Sequence, residues 1–136
     1  IGTYAIAQDI PNGSYGDLAR LAERSWQEQL RFGRPVVPTV MSGWDRRPRV
    51  VQPVPWEKQK KGNGIENYFA RPTPREFIEH LRRAEQFIID QKQELRSPAI
   101  LVYAWNEIDE GGWLVPNQTC DAKLLEALSN YRLSRA

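Results

Sequence analysis

At 136 residues the chain is about one ordinary domain, with 40% hydrophobic residues and a mean hydropathy of −0.62. A net charge of +2 is too small to argue for a nucleic-acid partner, and no apolar run approaches the roughly 20 residues of a membrane span. The single cysteine, Cys120, excludes an internal disulfide, and with one histidine, His80, there is no Cys/His set for zinc, so no metal or other cofactor is expected.

No signal-peptide pattern opens the chain. Residue 1 is Ile and the sole methionine is Met41, so the sequence reads as a piece that begins inside a fold. "IGTYAIA" predicts a first strand at about 1–7, and "QDIPNGS" a loop leading to a helix from Ser14, with Asp17 as its capping partner. Leu18, Leu21, Ala22, Trp26 and Leu30 form one apolar stripe, and Gly33 stops the helix. "PVVPTVM", apolar on both faces, predicts a second strand.

A long helix-free interval follows, 42–72, and reads as a functional loop. Between Trp44 and Lys61 it carries six cations (Arg46, Arg47, Arg49, Lys58, Lys60, Lys61) against Asp45 and Glu57, a local charge of +4. Such a run is either a solvated loop or a contact surface for an anionic sugar or phosphate. Next, "TPRE" places Thr73 at a helix N-cap, Pro74 at the first helical position and Glu76 where a capping box needs it. Phe77, Ile78, Leu81, Ala84 and Ile88 share one face, and His80, inside this helix, reads as structural, as does Cys120. "AILVYAW" predicts a third doubly apolar strand, and a last helix starts near Asp121.

Doubly apolar strands alternating with amphipathic helices predict an α/β fold: three consecutive βα units with parallel strands. Residues 1–136 form a single domain in this reading, the C-terminal part of a (β/α)8 barrel whose upstream part is its missing partner. Ligands of such folds bind at the carboxyl ends of strands, here "QDIPNGS", "SGWDRRPR" and "WNEIDEGGW". The last of these packs Trp105, Asn106, Glu107, Asp109, Glu110 and Trp113 together.

That mixture suits a glycan. Tryptophan faces match the apolar faces of pyranose rings, carboxylates and amides match hydroxyls, and glycoside cleavage needs two carboxyl groups. Glu107 and Glu110 are the candidate pair; a continued strand would send them to opposite faces, whereas a turn closed by Gly111 and Gly112 could bring them together. Trp44, Asp45, Arg46, Trp105, Asn106, Asp109 and Trp113 are the candidate substrate-binding residues. The plainer alternatives are a structural role for Glu107, simple packing for Trp105 and Trp113, and an arginine partner for Asp45. "NGSYG" lacks the G-x-G-x-x-G pattern, which ranks a nucleotide-type doubly wound domain last.

"AWNEIDEGGWLVP" resembles the C-terminal motif of glycoside hydrolase family 99-like proteins, including endo-α-mannosidases, and of the related WbsX-type domains. "PTVMSGWDRRPR" and "TPREFIEHLRRA" are similar to the strand, loop and helix that precede that motif, so the likeness covers most of 35–118. The resemblance implies a (β/α)8 barrel acting on a polysaccharide or oligosaccharide, periplasmic or extracellular if it is a polysaccharide hydrolase. It gives Glu107 the role of assisting base and Glu110 that of general acid and base. Two departures stand out: Ile108 replaces an aromatic, and Asp109 replaces the usual His, which sets three carboxylates side by side. A non-catalytic glycan-binding barrel or inactive relative is the rival expectation.

Overall fold

The computed structural model describes residues 2–6, 9–56, 64–91, 98–118 and 122–134. Two long helices begin as the capping signals predict. Helix α1 (Tyr15–Leu30) starts at Ser14, whose hydroxyl accepts from the Asp17 amide while the Asp17 carboxylate accepts from the Ser14 amide. Helix α3 (Pro74–Asp90) repeats the arrangement with Thr73 and Glu76. Hydrogen bonds donated by Ser14, from its hydroxyl first and then its amide, hold the Asp17 carboxyl below the usual carboxylate range, and those from Thr73, its amide first and then its hydroxyl, do the same for Glu76. Helix α4 (Lys123–Leu133) packs on α3, where the Tyr131 hydroxyl donates to Glu85 at 2.6 Å.

The sheet is smaller than the sequence predicts. Strand β1 (Thr39–Met41) pairs in parallel with β2 (Leu101–Tyr103), Val40 opposite Val102. Leu101 N–H donates to Pro38 O and Ser42 N–H to Tyr103 O, so the even-numbered residues of β1 face β2 and Thr39 and Met41 face away. On that far side the carbonyls are already taken: Trp26 Nε1 donates to Thr39 O at 3.1 Å and the Tyr15 hydroxyl to Met41 O at 2.7 Å. The expected strand at 1–7 is accordingly not formed at 2–6, which lies beside β1 without a ladder. The third expected strand, 99–105, also differs: only Leu101–Tyr103 form β2, and Leu101 is 45% exposed rather than covered on both faces.

Nor is the interval 42–72 free of helix. Residues Arg47–Val51 form the short helix α2, opened by Pro48 in its first turn. Residues 57–63 of this interval, with Lys58, Lys60 and Lys61, lie outside the described residues, as does Cys120.

Beneath the sheet, α1 and α3 pack on β1 and on each other. Leu18, Ala22, Trp26, Phe77, Ala84, Val36 and Val40 are buried there. His80 is fully buried among them, stacked on Trp26 at 5.3 Å and hydrogen-bonded through Nδ1 to the Tyr15 hydroxyl at 3.1 Å. Burial pushes its pKa down to about 3, with the Arg83 charge adding to the effect. The imidazole is therefore neutral and part of the core, in keeping with a structural role. The layout leaves the carboxyl ends of β1 and β2 side by side, and both lead directly into the acidic loops.

Candidate functional site

The rim begins with two glycines in contact. Gly43 and Gly111 have φ of 154° and 78°, and a Cβ on Gly43 would overlap the Gly111 carbonyl oxygen. A Cβ on Gly111 would sit 2.6 Å from that of Asp45. Only glycine lets these two backbones approach so closely, and the approach is sealed by Asp45 N–H donating to Glu110 O at 2.7 Å. Ser42 adds a second tie, accepting from Ala104 N–H at 3.0 Å through its hydroxyl. The loop after β1 and the loop after β2 are thus knitted into one surface.

Within the second loop, β3 (Asn106–Glu107) and β4 (Gly112–Trp113) form a minimal antiparallel pair joined by a 3₁₀ turn at Ile108–Glu110. Glu107 ends β3 and Glu110 ends the turn, so the chain reverses between them and the two side chains are not bound to the alternating faces of one continued strand. Two tyrosines receive them. The Tyr4 hydroxyl donates to Glu107 Oε1 at 2.9 Å, the Tyr103 hydroxyl donates to Glu110 Oε2, and the two rings meet edge to face at 5.2 Å. Both phenols are pushed above their ordinary range, Tyr4 first by its bond to Glu107 and Tyr103 first by burial and then by Glu110. Each tyrosine feels the charge of both glutamates, so the two carboxylates share one field.

Arginines from the first loop close the other side. Arg49 of α2 forks Asp109, Nε to Oδ2 at 2.7 Å and Nη2 to Oδ1 at 3.3 Å, and its Nη1 donates to Glu110 Oε1. That fork holds the Asp109 carboxyl below its usual range. Arg47 forks Asp45, with Nη2 to Oδ2 at 2.6 Å, and its guanidinium lies 3.7 Å from the Tyr68 ring centroid. At least two of the loop's cations therefore serve carboxylates of this same surface, and Asp45 is an arginine partner here.

The aromatic residues divide. Trp44 is half-buried, its ring tilted against Tyr103 at 5.7 Å, with the Arg46 guanidinium 6.0 Å from its centroid. Trp113 is half-buried with one face covered by Arg71 at 3.7 Å. Trp105, by contrast, is 55% exposed, and the backbone before β3 is pinned by its carbonyl, which accepts from Leu114 and Val115 N–H at 3.0 Å. Asn106 beside it is exposed. The structure thus gathers Glu107, Asp109, Glu110, Asp45 and Trp44 closely, and leaves Trp105 as the open aromatic face.

Sequence reasoning missed Tyr4, Tyr103 and Arg49 as parts of this site. Arg49 and Glu110 are 61 positions apart and Tyr4 and Glu107 are 103 apart. Their one sequence signal is that each falls on an expected strand or in the loop that follows one. Among the described residues, no group of three His, Cys, Asp or Glu side chains could hold a metal ion, and no helix is long and apolar enough to cross a membrane. A cavity of 360 Å³ between α1 and α3, lined by Glu23, Trp26 and Arg83 among others, includes neither Glu107 nor Glu110 in its lining.

A protein-family model described as glycosyltransferase WbsX matches residues 7–128. The chain belongs to the WbsX family. Comparison with curated proteins and with solved structures gave no match. Family membership brings the chain into a carbohydrate-active, polysaccharide-related context, and the matched span contains the whole acidic motif and the loop that clamps it.

Proposed function

We propose that this WbsX-family chain is the C-terminal part of a (β/α)8 barrel that acts on a polysaccharide or oligosaccharide, with Glu107 and Glu110 as its acid/base pair. The observation that carries the reading is the convergence of these two glutamates on the touching pair Tyr4 and Tyr103. Glycosidic bond cleavage needs one carboxyl to give a proton to the leaving oxygen and a second to activate the attacking group. The parallel pairing of β1 and β2, with both loops at their carboxyl ends, is what a barrel's active face requires. Trp105 supplies a stacking face for a pyranose ring, and Asn106 and Asp109 supply groups for its hydroxyls.

The family description favours a second reading, transfer of the glycosyl group to another sugar. The same pair serves both, because a sugar hydroxyl can take the place of water. A donor with phosphate as leaving group asks for cations that face the ligand. Arg47 and Arg49 are instead engaged with Asp45, Asp109 and Glu110, which favours an oligosaccharide donor.

The test uses the full-length protein with α- and β-linked hexose oligosaccharides, and separately with nucleotide sugars, read as new reducing ends and as transfer products. Cleavage or transfer from oligosaccharides that is lost in Glu107→Gln and Glu110→Gln is the expected result. Unaltered turnover in both variants would end the proposal. Binding without turnover would move the chain to the glycan-binding alternative.

A further inference from the structure

A second cluster of polar side chains lies in the helical body, away from the rim. The cavity between α1 and α3 has the buried rings of Trp26 and Phe87 in its wall, and its charged lining residues are Glu23, Arg83 and Asp90. Two carboxylates against one guanidinium leave that lining with one negative charge. Arg83 Nε donates to Glu23 Oε1 at 2.6 Å, and the two side chains are 44% and 29% exposed. His80 adjoins this pair. It stacks on Trp26, and its buried Nε2, which has no hydrogen-bond partner, is 3.9 Å from the same Glu23 oxygen.

The hydrogen bonds decide which His80 nitrogen carries the proton. The Tyr15 hydroxyl has one hydrogen, and Met41 O at 2.7 Å can only accept it. The Tyr15 oxygen therefore accepts from His80 Nδ1–H across the 3.1 Å contact. In a neutral imidazole this leaves Nε2 as a bare lone pair, so two acceptors, Nε2 and the Glu23 carboxylate, face each other. A buried acceptor is unfavourable without a donor, and this pair calls for one group with two hydrogens to give. A nitrogen about 2.8 Å from both would see them at roughly 90°, which an ammonium meets with its N–H bonds bent about 10° from line. A metal ion needs more ligands than this, and among the described residues no group of three His, Cys, Asp or Glu side chains could hold one.

We propose that the cavity between α1 and α3 is a binding site for a small primary amine, whose ammonium group bridges His80 Nε2 and Glu23 while its apolar stem lies along Trp26 and Phe87. One positive charge on the ligand balances the charge of the lining. Exposed ion pairs are weak, so Arg83 yields Glu23 to the incoming ammonium. The inference is independent of the carbohydrate reading, because the lining contains neither Glu107 nor Glu110.

The test uses the full-length protein, isotopically labelled in nitrogen, with n-hexylamine as the ligand and magnetic resonance as the readout. In the free protein His80 Nε2 should resonate as an unprotonated imidazole nitrogen; a proton on Nε2 at neutral pH overturns the proposal at once. The His80 signals are those lost in His80→Gln or, should that variant not fold, those whose ring protons contact Trp26. Hexylamine should move the Nε2 resonance to lower frequency, as a donor to its lone pair does, and leave Nδ1 in place. Hexyltrimethylammonium keeps the charge without an N–H, n-hexanol keeps a donor without the charge, and hexanoate reverses the charge. The first two should bind about tenfold more weakly than hexylamine, and hexanoate should not bind. Glu23→Gln should weaken hexylamine about tenfold as well. Equal affinity for hexylamine and either of the first two analogues, unaltered affinity in Glu23→Gln, or hexylamine binding that leaves Nε2 unmoved each overturns the bridge. No binding up to about 10 mM hexylamine means that the cavity holds solvent only, and ends the proposal.

Discussion

The helical body and the acidic rim are built on different principles. In the body, α1 and α3 bury apolar side chains against β1, and its buried histidine is neutral and paired with Tyr15. In the rim, the residues at 42–49 and 103–113 meet through charges, backbone hydrogen bonds and two glycines, with Trp105 open to solvent. Apolar burial is non-directional, so the body tolerates small shifts and is damaged mainly by lost volume. Hydrogen bonds and ion pairs are directional, so the rim is damaged by misplacement even when the protein stays folded. A substitution of either kind should declare which region it belongs to.

The largest effect expected on stability is Trp26→Ala. This ring is 2% exposed, stacks on His80 and donates to Thr39 O, so its removal should cost about 3–5 kcal/mol. Denaturant unfolding followed by tryptophan fluorescence and by circular dichroism should show body and rim lost together. A loss below about 1 kcal/mol would mean that the body is not what supports the rim.

Next in size is Gly111→Ala, which forces a side chain into the left-handed region at φ 78° and against Asp45. The backbone term alone costs about 1–2 kcal/mol, and the overlap adds to it. Its signature should be regional: hydrogen exchange should speed up at the Asp45 amide, which donates to Glu110 O, and stay unchanged through α1. Equal acceleration in both places would erase the distinction between the regions.

A pH titration sharpens the same comparison. His80 faces Tyr15 and Glu23 of α1 and Arg83 of its own helix, and burial holds its folded pKa at about 3 against 6.5 for an imidazole in water. Between those values the unfolded chain binds a proton that the folded one refuses, so this contribution to stability is present above pH 6.5 and is lost as the pH falls toward 3. The slope attributable to this one group is at most about 1.4 kcal/mol per pH unit. His80→Gln should flatten unfolding free energies measured across that window; an unchanged slope would assign the acid sensitivity to the rim.

These regions were also unequally legible in the sequence. The caps Ser14/Asp17 and Thr73/Glu76 are short-range signals, complete within four residues, and both helices start where they predict. The apolar stripe from Leu18 to Trp26 is likewise a local pattern and became core. Strand extents differ because an apolar run says that a segment is covered and leaves open by what: the Thr39 and Met41 carbonyls go to Trp26 and Tyr15 rather than to a neighbouring strand. Helix α2 has five residues, too few to display a period. In the rim, the acidic cluster could be read as a cluster, but its partners Tyr4 and Arg49 come from distant segments and leave no spacing to recognise. The basic run left a solvated loop and an anion surface both open, and Arg47 and Arg49 follow neither, since they neutralise carboxylates beside them.

A cap removal is smaller again. Thr73→Ala deletes the hydroxyl that accepts from the Glu76 amide and should cost about 1 kcal/mol, read as a lowered midpoint in urea. Because α3 belongs to the body, the exchange rate at the Asp45 amide should change no more than the global stability does.

The smallest effect on stability is expected where the effect on function is informative. Trp105 is 55% exposed, so Trp105→Ala should leave unfolding free energy within about 0.5 kcal/mol of the unsubstituted protein. If its ring is the platform for a sugar, affinity for a bound oligosaccharide should still fall about tenfold, which is about 1.4 kcal/mol. Trp113→Ala should behave in the opposite sense, since Arg71 covers one face and the indole is half-buried: a measurable loss of stability and a weaker effect on binding. Isothermal titration of both variants against one oligosaccharide, beside their urea midpoints, decides the matter. Should Trp113→Ala abolish binding at unchanged stability while Trp105→Ala does nothing, the sugar lies on the Arg71 side of the hairpin, and the open face at Trp105 is not the entry to the carboxylates.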